Sequence, residues 1–479
     1  MEHKLISGTT FAGIDEAGWR ALAQKALKGA DFEDTLVSHT DDGLRIDPLY
    51  ARSAHPQPIS RVDPAAPWRV VQRVDDPDPA RANRQAIEDV ENGATGLAIV
   101  FEGAPNAHGY GLPCTDEAFD RALDGVPLNR LGLRIDTHPL SRSSIDWLVA
   151  SLAAKRADPA RLHLSFGIDP AAIFAGTGRL RMSIEALEAS MPQSLAHFFA
   201  LGLPGVLLEA DGRVSHNGGA SAAQELGIML ASAVSHLRMF EKARQPLVYA
   251  APHVGFAIAA DQDQFVTIAK MRALRRLWQR AQEVCGIEPS PASLHAETSW
   301  RMMTARDPET NILRATIAVF AAAAGGADSI SVLPHTLTHG LPDGFARRVA
   351  RNTQLVLAQE AGIGFVADPA AGSGGIAHLT EALCEAAWAE FQQIEQEGGA
   401  LKSLAAGAFQ ARVRTVAAKR RQALRDGQRA IVGTTLYPLG TERPVATLDA
   451  ESRPAPSDGT TFCDRLAPLR LDEQVGEDA

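Results

Sequence analysis

The feature that most constrains this chain is a regular alternation, from Leu97 onward, of short apolar runs with longer stretches of helical periodicity. Such alternation is typical of a parallel sheet that is covered by helices. Eight runs are found, at 97 (LAIVF), 131 (LGLRID), 162 (LHLSF), 205 (GVLLEA), 254 (VGFAIA), 293 (SLHAE), 329 (SISVL) and 364 (GFVA). Eight strand–helix units predict an α/β fold, the TIM-type (β/α)8 barrel.

The pattern is clearest between residues 296 and 376. Two segments with apolar residues at helical spacing end at Gly325-Gly326 and at Gly362, and each is followed directly by an apolar run. Glycine is favoured just after a helix because it adopts the left-handed conformation that ends one. The second apolar run, residues 363–367, is therefore predicted to be a buried strand.

The sequence outside the barrel lacks this alternation. Trp19, Leu22 and Leu27 indicate one amphipathic helix near the N-terminus, followed by extended proline-rich chain. The predicted organisation is an N-terminal extended arm forming a subunit interface (1–66), a barrel (67–400), a C-terminal helical linker (401–441) and a flexible tail (442–479). Trp19 and Leu27 are the expected interface residues, because such a helix cannot bury its apolar face alone.

Composition excludes several classes of protein. The net charge of −10 argues against a nucleic-acid binder, and the basic helix between residues 412 and 429 has no interleaved aromatic residues. A solvated or subunit-facing helix is favoured there. Four widely spaced cysteines indicate neither a disulfide framework nor a thiolate metal site. With no signal-peptide pattern and no long apolar stretch, we expect a soluble, cytoplasmic protein.

Three small groups of residues could form a metal, phosphate or catalytic site, and each has a simpler interpretation. His335 and His339 have a metal-compatible spacing but lack the glutamate of H-E-x-x-H, so ordinary loop histidines are favoured. The glycine-rich turn at 372–375 fits no phosphate-binding motif, so a structural turn is favoured. Asp136 and His138 end a predicted strand, but no nucleophile lies at a spacing that would indicate a catalytic triad. No metal site is predicted.

Three runs carry a family resemblance: TSWRMMTARDPETNILRATIAVFAAAAGGADSISVLPHT at 298, GLPDGFARRVARNTQLVLAQE at 340 and DPAAGSGGIAHLTEALCEAAWAEF at 368. In order, spacing and residue choice they resemble the barrel domain of methylmalonyl-CoA mutases. The LPHT and GLPD segments are more similar to the small, or beta, subunit of the heterodimeric bacterial enzyme than to its catalytic subunit. The resemblance extends over residues 11–473.

The resemblance implies adenosylcobalamin in the complex, normally held by a flavodoxin-like domain whose D-x-H-x-x-G motif supplies the cobalt ligand. The D-x-H of this chain, Asp136-Thr137-His138, continues without the glycine, and the residues after Leu439 are too few for such a domain. We therefore expect this chain to bind no cobalamin. The catalytic large (alpha) subunit is the expected partner and cofactor holder, and acyl-CoA is expected to bind through it.

The resemblance also points to two positions at which this chain differs from the catalytic subunits. Arg73 stands where catalytic subunits have a tyrosine beside the thioester, and Val214 where they have a histidine that hydrogen-bonds the substrate carbonyl. Losing both groups removes donors that a radical rearrangement needs, so no catalytic residue is assigned. Trp68, Gln72, Arg73 and His216 are the equivalents of substrate-channel residues.

Three functions remain open. The first is the small, non-catalytic subunit of a methylmalonyl-CoA mutase of propionyl-CoA metabolism. The second is a substrate-binding subunit of another acyl-CoA mutase that pairs with a separate cobalamin-binding chain. The third is a stand-alone scaffold or regulatory barrel.

The barrel interior is expected to be closed to substrate. Packed TIM barrels are filled by inward-pointing side chains, often bulky and apolar ones. The residues predicted to point inward are Leu97, Ile99, Leu207, Phe256, Ile258, Ile330 and Val332.

Overall fold

The computed structural model describes residues 13–54, 56–138, 144–154, 162–453 and 455–475. Eight parallel strands form its central sheet: β1 (Arg69–Val74), β2 (Gly96–Val100), β3 (Gly132–Asp136), β4 (His163–Phe166), β5 (Leu208–Asp211), β6 (Val254–Ala260), β7 (Ser293–Thr298) and β8 (Ser329–Ser331). Each strand pairs with its neighbours in chain order, and β8 pairs with β1.

The barrel closes between β4 and Val206, two residues before the start of β5. The amide of Phe166 donates to the carbonyl of Val206 at 2.9 Å, and the amide of Val206 donates to the carbonyl of Leu164 at 3.0 Å. The predicted TIM-type barrel is confirmed.

Helices surround the sheet and extend beyond it at both ends of the chain. They are α1 (Glu16–Ala26), α2 (Phe32–Leu36), α3 (Pro79–Glu91), α4 (Asp116–Ala122), α5 (Ser144–Ala154), α6 (Pro170–Thr177), α7 (Ile184–Ala200), α8 (Arg213–Asn217), α9 (Ala222–Lys242), α10 (Leu247–Ala250), α11 (Gln264–Val284), α12 (Thr310–Ala324), α13 (Gly344–Leu355), α14 (Gly374–Gln396), α15 (Ala400–Ala405) and α16 (Ala408–Arg425). Among the described residues, no helix is long and apolar enough to cross a membrane.

The strand count was right, but one predicted strand is not a strand and one observed strand was missed. Residues 363–367 form no strand, because Gly362 turns the chain with a φ of 65° into the short 3-10 helix Ile363–Phe365, and Phe365 is exposed. The missing strand is β1. Its run RVVQRV contains the polar residues Gln72 and Arg73, so it lacks the apolar continuity of the other runs. Both polar side chains are buried with hydrogen-bond partners, which is what permits them in a central strand.

The N-terminal arm folds against its own barrel over part of its length. Asp41 forms ion pairs with Arg420 and Arg429 of the C-terminal region. Further along, the amide of Ile59 donates to Asp368 at 2.7 Å. By contrast, α1 has no buried residue, so the beginning of the described arm contributes little to the core.

The C-terminal segment crosses the mouth of the barrel, the end at which the parallel strands finish. Composition predicted a flexible tail for residues 442–479, and the described part, 442–453 and 455–475, follows the barrel surface. Thr447–Leu448 pairs with Leu341–Pro342, and Thr461–Phe462 pairs with Arg179–Leu180.

The arm and α14 approach each other closely at Gly374. A Cβ atom added to Gly374 would lie 1.7 Å from the carbonyl oxygen of Ala51, whereas one added to Gly344, at the start of α13, would meet no atom within 4 Å. Gly374 is therefore required for the arm's position.

We predict that Gly374→Ala lowers the free energy of unfolding by about 1–3 kcal/mol, because the new methyl group displaces the arm backbone. Gly344→Ala is the matched control and should be neutral or slightly stabilising. Urea denaturation measures both variants, and limited proteolysis near residue 51 reports release of the arm. Equal stability of the two variants would contradict this account of the contact.

Candidate functional site

The barrel interior is built from charged side chains, not from the apolar ones that the sequence predicted. Large charged residues come from the odd-numbered strands and small ones from β2, β4, β6 and β8. Register places Ala98 beside Arg73 and Arg134, and Ala257 beside Asp211 and His295. A small residue on one strand thus leaves room for the large residues of its neighbours.

The predicted set of inward residues was wrong for β2, β6 and β8. Six of its members lie on the opposite face of the sheet from the charged interior: Leu97, Ile99, Phe256, Ile258, Ile330 and Val332. Phe256 illustrates the arrangement, because its ring packs against Trp278 of α11 with the centroids 5.2 Å apart. Side chains alternate along a strand, so an error of one residue exchanges the two faces.

Arg73 lies at the centre of the interior and is almost completely buried. Its guanidinium donates to Asp75, to Glu297 and to the carbonyl of Asn106, each at 2.9 Å. Burial alone would lower the pKa of Arg73, but Glu297 and Asp75 raise it above its ordinary value. The position that the sequence marked as substituted therefore holds a permanent, fully paired cation.

Two more arginines complete the interior charges. Arg213, from the short helix after β5, donates to Asp211 at 2.8 and 2.9 Å and to Asp136 at 2.9 Å. Arg134 donates to Asp136 at 2.7 Å and to both oxygens of Glu209. Because Arg213 also reaches Glu297 at 3.3 Å, all these groups are connected. We call them the barrel-core network: Arg73, Arg134, Asp136, Glu209, Asp211, Arg213 and Glu297.

The interior histidines and Asp136 have lowered pKa values, whereas burial raises the pKa of Glu209 although Arg134 opposes this. Burial, with Arg73 nearby, lowers the pKa of His108 to about 3, and burial also lowers the pKa of His295 well below its usual range. Burial would raise the pKa of Asp136, but Arg134 and Arg213 lower it. A general acid or base works best with a pKa near the working pH. His108, His295 and Asp136 are therefore poorly matched to proton transfer near neutral pH.

The other residues that the family resemblance singled out lie away from this core. Trp68 donates from its indole nitrogen to Gln354 of α13 at 3.1 Å, and Gln72 donates to Asp89 of α3 at 3.1 Å. Both side chains therefore face the helices and not the interior. Val214 is buried where α8 packs on Gly176.

His216 belongs to a second buried cluster. Its Nδ1 lies 3.0 Å from Glu225 and its Nε2 lies 3.0 Å from Asp261. Lys270 pairs with Glu225 at 2.6 Å, and Arg301 pairs with Asp261 at 3.0 Å. Burial would raise the pKa of Glu225, but Lys270 and His216 lower it to about 2. We call these five residues the His216 cluster.

The His216 cluster forms part of the floor of a cavity of about 650 Å³. The cavity lies between the arm, α11, α12 and the end of α16, and Asp41 and Arg420 close one side of it. Its volume is in the range of ligand-binding pockets, and much of its wall is apolar.

The barrel mouth is covered by the C-terminal segment. The amides of Leu466, Leu469 and Leu471 donate to backbone carbonyls of residues 175, 217 and 301 at 2.8 to 3.0 Å. A smaller cavity of about 300 Å³ remains beneath this segment, where His108 stacks on Trp300 with the ring centroids 4.5 Å apart.

The histidines and the glycine-rich turn have protein groups as their neighbours. Among the described residues, no group of three or more His, Cys, Asp or Glu side chains could hold a metal ion. His339 bonds the carbonyl of Ala305 at 2.8 Å, and His335 stands beside Phe345. Ser373 caps α14, and the arm backbone packs directly against Gly374.

Sequence reasoning missed Arg134, Glu209, Arg213 and Glu297 as interior residues. A signal for three of them exists: the predicted strands contain charged or polar residues two positions apart, as in GLRID, LLEAD and SLHAET. When polar residues occupy every second position of an apolar run, they all lie on the same face of the strand. Such a pattern predicts a buried strand with one polar face. Arg213 follows β5 in a loop and gives no comparable signal.

The whole chain can also be compared with known proteins. The family profile described as methylmalonyl-CoA mutase matches residues 50–457. The methylmalonyl-CoA mutase small subunit of Streptomyces virginiae is 38% identical over 470 residues, covering 95% of this chain and 72% of that protein. The small subunit of Propionibacterium freudenreichii subsp. shermanii is 32% identical, covering 90% of this chain and 68% of that protein. The mitochondrial methylmalonyl-CoA mutase of Mus musculus is 27% identical, covering 90% and 62%. The chain therefore belongs to the methylmalonyl-CoA mutase family.

Proposed function

We propose that this chain is the small, non-catalytic subunit of an adenosylcobalamin-dependent methylmalonyl-CoA mutase. In this proposal it supports a larger catalytic partner that interconverts methylmalonyl-CoA and succinyl-CoA. The observation that carries the proposal is the barrel-core network, in which Arg73 and Arg213 occupy the interior with all their charges paired. Relatives named as small subunits imply a larger partner subunit.

Enzymes of this family use adenosylcobalamin, and the described residues at the barrel mouth do not fit that group. The backbone of residues 463–471 crosses the mouth, and Asp136 of the D-x-H sequence is engaged by Arg134 and Arg213. No step is therefore assigned to the cofactor in this chain. We propose that the partner chain holds it and presents the acyl-CoA.

The proposal assigns the interior a structural role. Three guanidinium groups bridge strands that are not direct neighbours in the sheet, β1 with β7 and β3 with β5, so they hold the strands together where a catalytic barrel needs space. A substrate that entered would have to separate buried ion pairs, at a cost of several kcal/mol for each charge left unpaired.

The first test of the proposal is ligand binding by the isolated chain. Calorimetric titration with methylmalonyl-CoA, succinyl-CoA and adenosylcobalamin should show no saturable binding at micromolar concentration, because the interior is filled. The double variant Arg73→Tyr/Val214→His should also lack mutase activity by itself, since it restores two side chains but neither a channel nor a cofactor site. Micromolar binding of either acyl-CoA would favour a substrate-binding subunit instead.

The second test concerns the arm as a subunit interface. Ile14 and Leu22 are exposed, Trp19 and Leu27 are half-buried, and Asp41 ties the later arm to α16. We predict that a chain lacking residues 1–36 no longer co-elutes with the large subunit in gel filtration, while its circular dichroism retains the barrel spectrum. Leu22→Asp in the full chain is a milder version and should weaken the complex. Undiminished co-elution of both variants would exclude α1 from the interface.

The third test concerns the structural role of the network. Arg213→Met should lower the free energy of unfolding at pH 7 by about 3–5 kcal/mol, because Asp211 would lose its ion pair inside a buried site and Asp136 would keep only Arg134. Arg425→Met, which removes an exposed arginine of α16, is the control and should change the stability by less than about 0.5 kcal/mol.

The same variant has a pH signature. The pKa of Asp136 is lowered in the folded protein, so its ion pairs stabilise above the ordinary carboxyl pKa, and this contribution is lost as pH falls. Without Arg213 the carboxyl groups can bind protons in the folded state. The difference between wild type and Arg213→Met should therefore shrink below about pH 4. A difference that stays constant down to pH 3 would show that lost packing, not lost charge pairing, is responsible.

A further inference from the structure

The last part of the described chain lies over the barrel mouth, and we call residues 459–475 the cover. Thr461–Phe462 pairs with a two-residue strand of the barrel, and three leucine amides farther along donate to backbone carbonyls of the barrel loops. Of its apolar side chains, Leu466 is buried whereas Phe462 is exposed. A large part of the attachment is thus made of backbone hydrogen bonds, which water can replace.

Glycine residues of the barrel loops form the surface on which the cover rests. A Cβ atom added to Gly178 would lie 3.2 Å from the carbonyl oxygen of Cys463, and one added to Gly218 would lie 2.8 Å from the Cβ atom of Leu466. Gly178 also has a φ of 75°, a conformation that favours glycine. Side chains at these two positions would hold the cover away from the barrel. The mouth therefore has a close-fitting seat for this segment.

His108 lies beneath the cover, in the cavity of about 300 Å³. Arg465 and Pro468 of the cover line this cavity together with His108 and Trp300. The imidazole stacks on the Trp300 indole, and the guanidinium of Arg470, also from the cover, lies 5.6 Å from the centre of the same indole. Movement of the cover would therefore open the cavity and loosen the stack on His108.

The imidazole of His108 makes no hydrogen bond in this position. Its Nδ1 and Nε2 atoms are both shielded from solvent, and neither has a partner among the residues that the structure describes. The backbone of His108 has a φ of 51°, which is uncommon for a residue other than glycine. A buried polar group without a partner costs stability that the same group in water does not. The closed cover thus holds His108 in a state that hydration would relieve.

Charged groups of both signs act on His108 from the barrel. Arg73 and Arg213 oppose its protonation, whereas Glu297 and Asp75 favour it. Burial opposes protonation more strongly than any of these charges, and together these effects lower the pKa of His108 to about 3.

The charges on the C-terminal side of the cavity are mostly paired. Arg470 pairs with Asp472 and Glu473. On the segment before the cover, Arg453 pairs with Glu102 of the barrel loop that also carries His108. Arg465 is exposed at the rim, where its Nε donates to the carbonyl of residue 176 at 2.7 Å. Arginine stays charged and carboxyl groups titrate mainly below pH 5, so between pH 5 and pH 8 the expected change of charge is that of a histidine.

We propose that the cover is a pH-responsive lid, which leaves the barrel mouth when His108 binds a proton. A protonated imidazole has two N–H donors, and in the closed position both would be buried without an acceptor. Once the cover moves away, water can reach the ring and solvate the charge. The inference goes beyond the proposed function and does not rest on it, because it concerns a movement within this chain alone.

The direction of the pH effect follows from the two states of His108. In the closed state the pKa of His108 is lowered to about 3, whereas a hydrated imidazole has a pKa of about 6.5. The closed state therefore binds fewer protons, so it is favoured above about pH 6.5 and loses stability as the pH falls below that value. The equilibrium constant for opening should rise by up to about tenfold per pH unit, which gives about 30-fold between pH 8 and pH 5.

Hydrogen exchange of the full chain, followed by mass spectrometry, measures this opening. Peptides from residues 459–475 should lose protection about 30-fold between pH 8 and pH 5, after correction for the intrinsic pH dependence of exchange. His108→Phe keeps an aromatic ring on Trp300 but removes both nitrogens, so its cover should show the same protection at both pH values. His197→Phe, at an exposed position of α7, is the matched control and should behave like wild type.

A second variant keeps the test decisive if His108→Phe does not fold. Arg470→Met removes the cation beside Trp300, so exchange of the cover should be faster at every pH while the ratio between pH 5 and pH 8 stays at about 30. A ratio near 1 in wild type would overturn the proposal, and so would a ratio of about 30 in a folded His108→Phe variant.

One further histidine needs its own control. His138 lies beside Gly103, on which Pro456 of the segment before the cover packs, and burial lowers the pKa of His138. His138→Asn should retain the full pH dependence of the cover. Loss of that dependence in His138→Asn would assign the titration to His138 and overturn the role of His108.

Discussion

The structure depends on one electrostatic constraint: charged groups inside a closed barrel must be paired with one another. Three arginines and four carboxylates meet this requirement in the barrel-core network, with Asp136 shared between Arg134 and Arg213 and Glu297 shared between Arg73 and Arg213. Loss of one partner leaves a buried charge, which is far more costly than loss of a surface ion pair. Each residue of the network is therefore needed to keep the others paired.

The choice of neighbouring residues follows from the size of these side chains. Alanine, glycine and serine on the even-numbered strands stand beside the arginines and glutamates, as Gly255 does beside Glu209. The apolar residues of the same strands face outward, where α11 and the other barrel helices cover them. The chain thus has two buried layers of opposite character, a charged interior and an apolar layer between sheet and helices.

The sequence allowed the barrel to be predicted because alternating strands and helices leave a strong pattern. The interior was harder, since a parallel strand buried on both faces reads as continuously apolar and does not show which face points inward. β1 was missed for a related reason: Gln72 and Arg73 interrupt its apolar run. They are acceptable in a core because they have partners, and two of these, Asp89 and Glu297, belong to other elements. The substitution at Arg73 was visible from the family resemblance, but the ion pairs that accompany it were not.

The charged side chains inside the barrel are paired with one another. The side chains that remain available for contacts with other molecules therefore lie on the outside. The exposed apolar side chains of the described chain include Leu22 on α1 and Leu313 on α12. Leu313 also lines the cavity of about 650 Å³, and the arm reaches that cavity from the other side through Asp41 and Ile46. A partner that engaged both elements would bury the apolar residues of each and cover the cavity between them. The geometry thus links two features that are far apart in sequence, and it explains how a barrel with a closed interior can still contribute to an assembly.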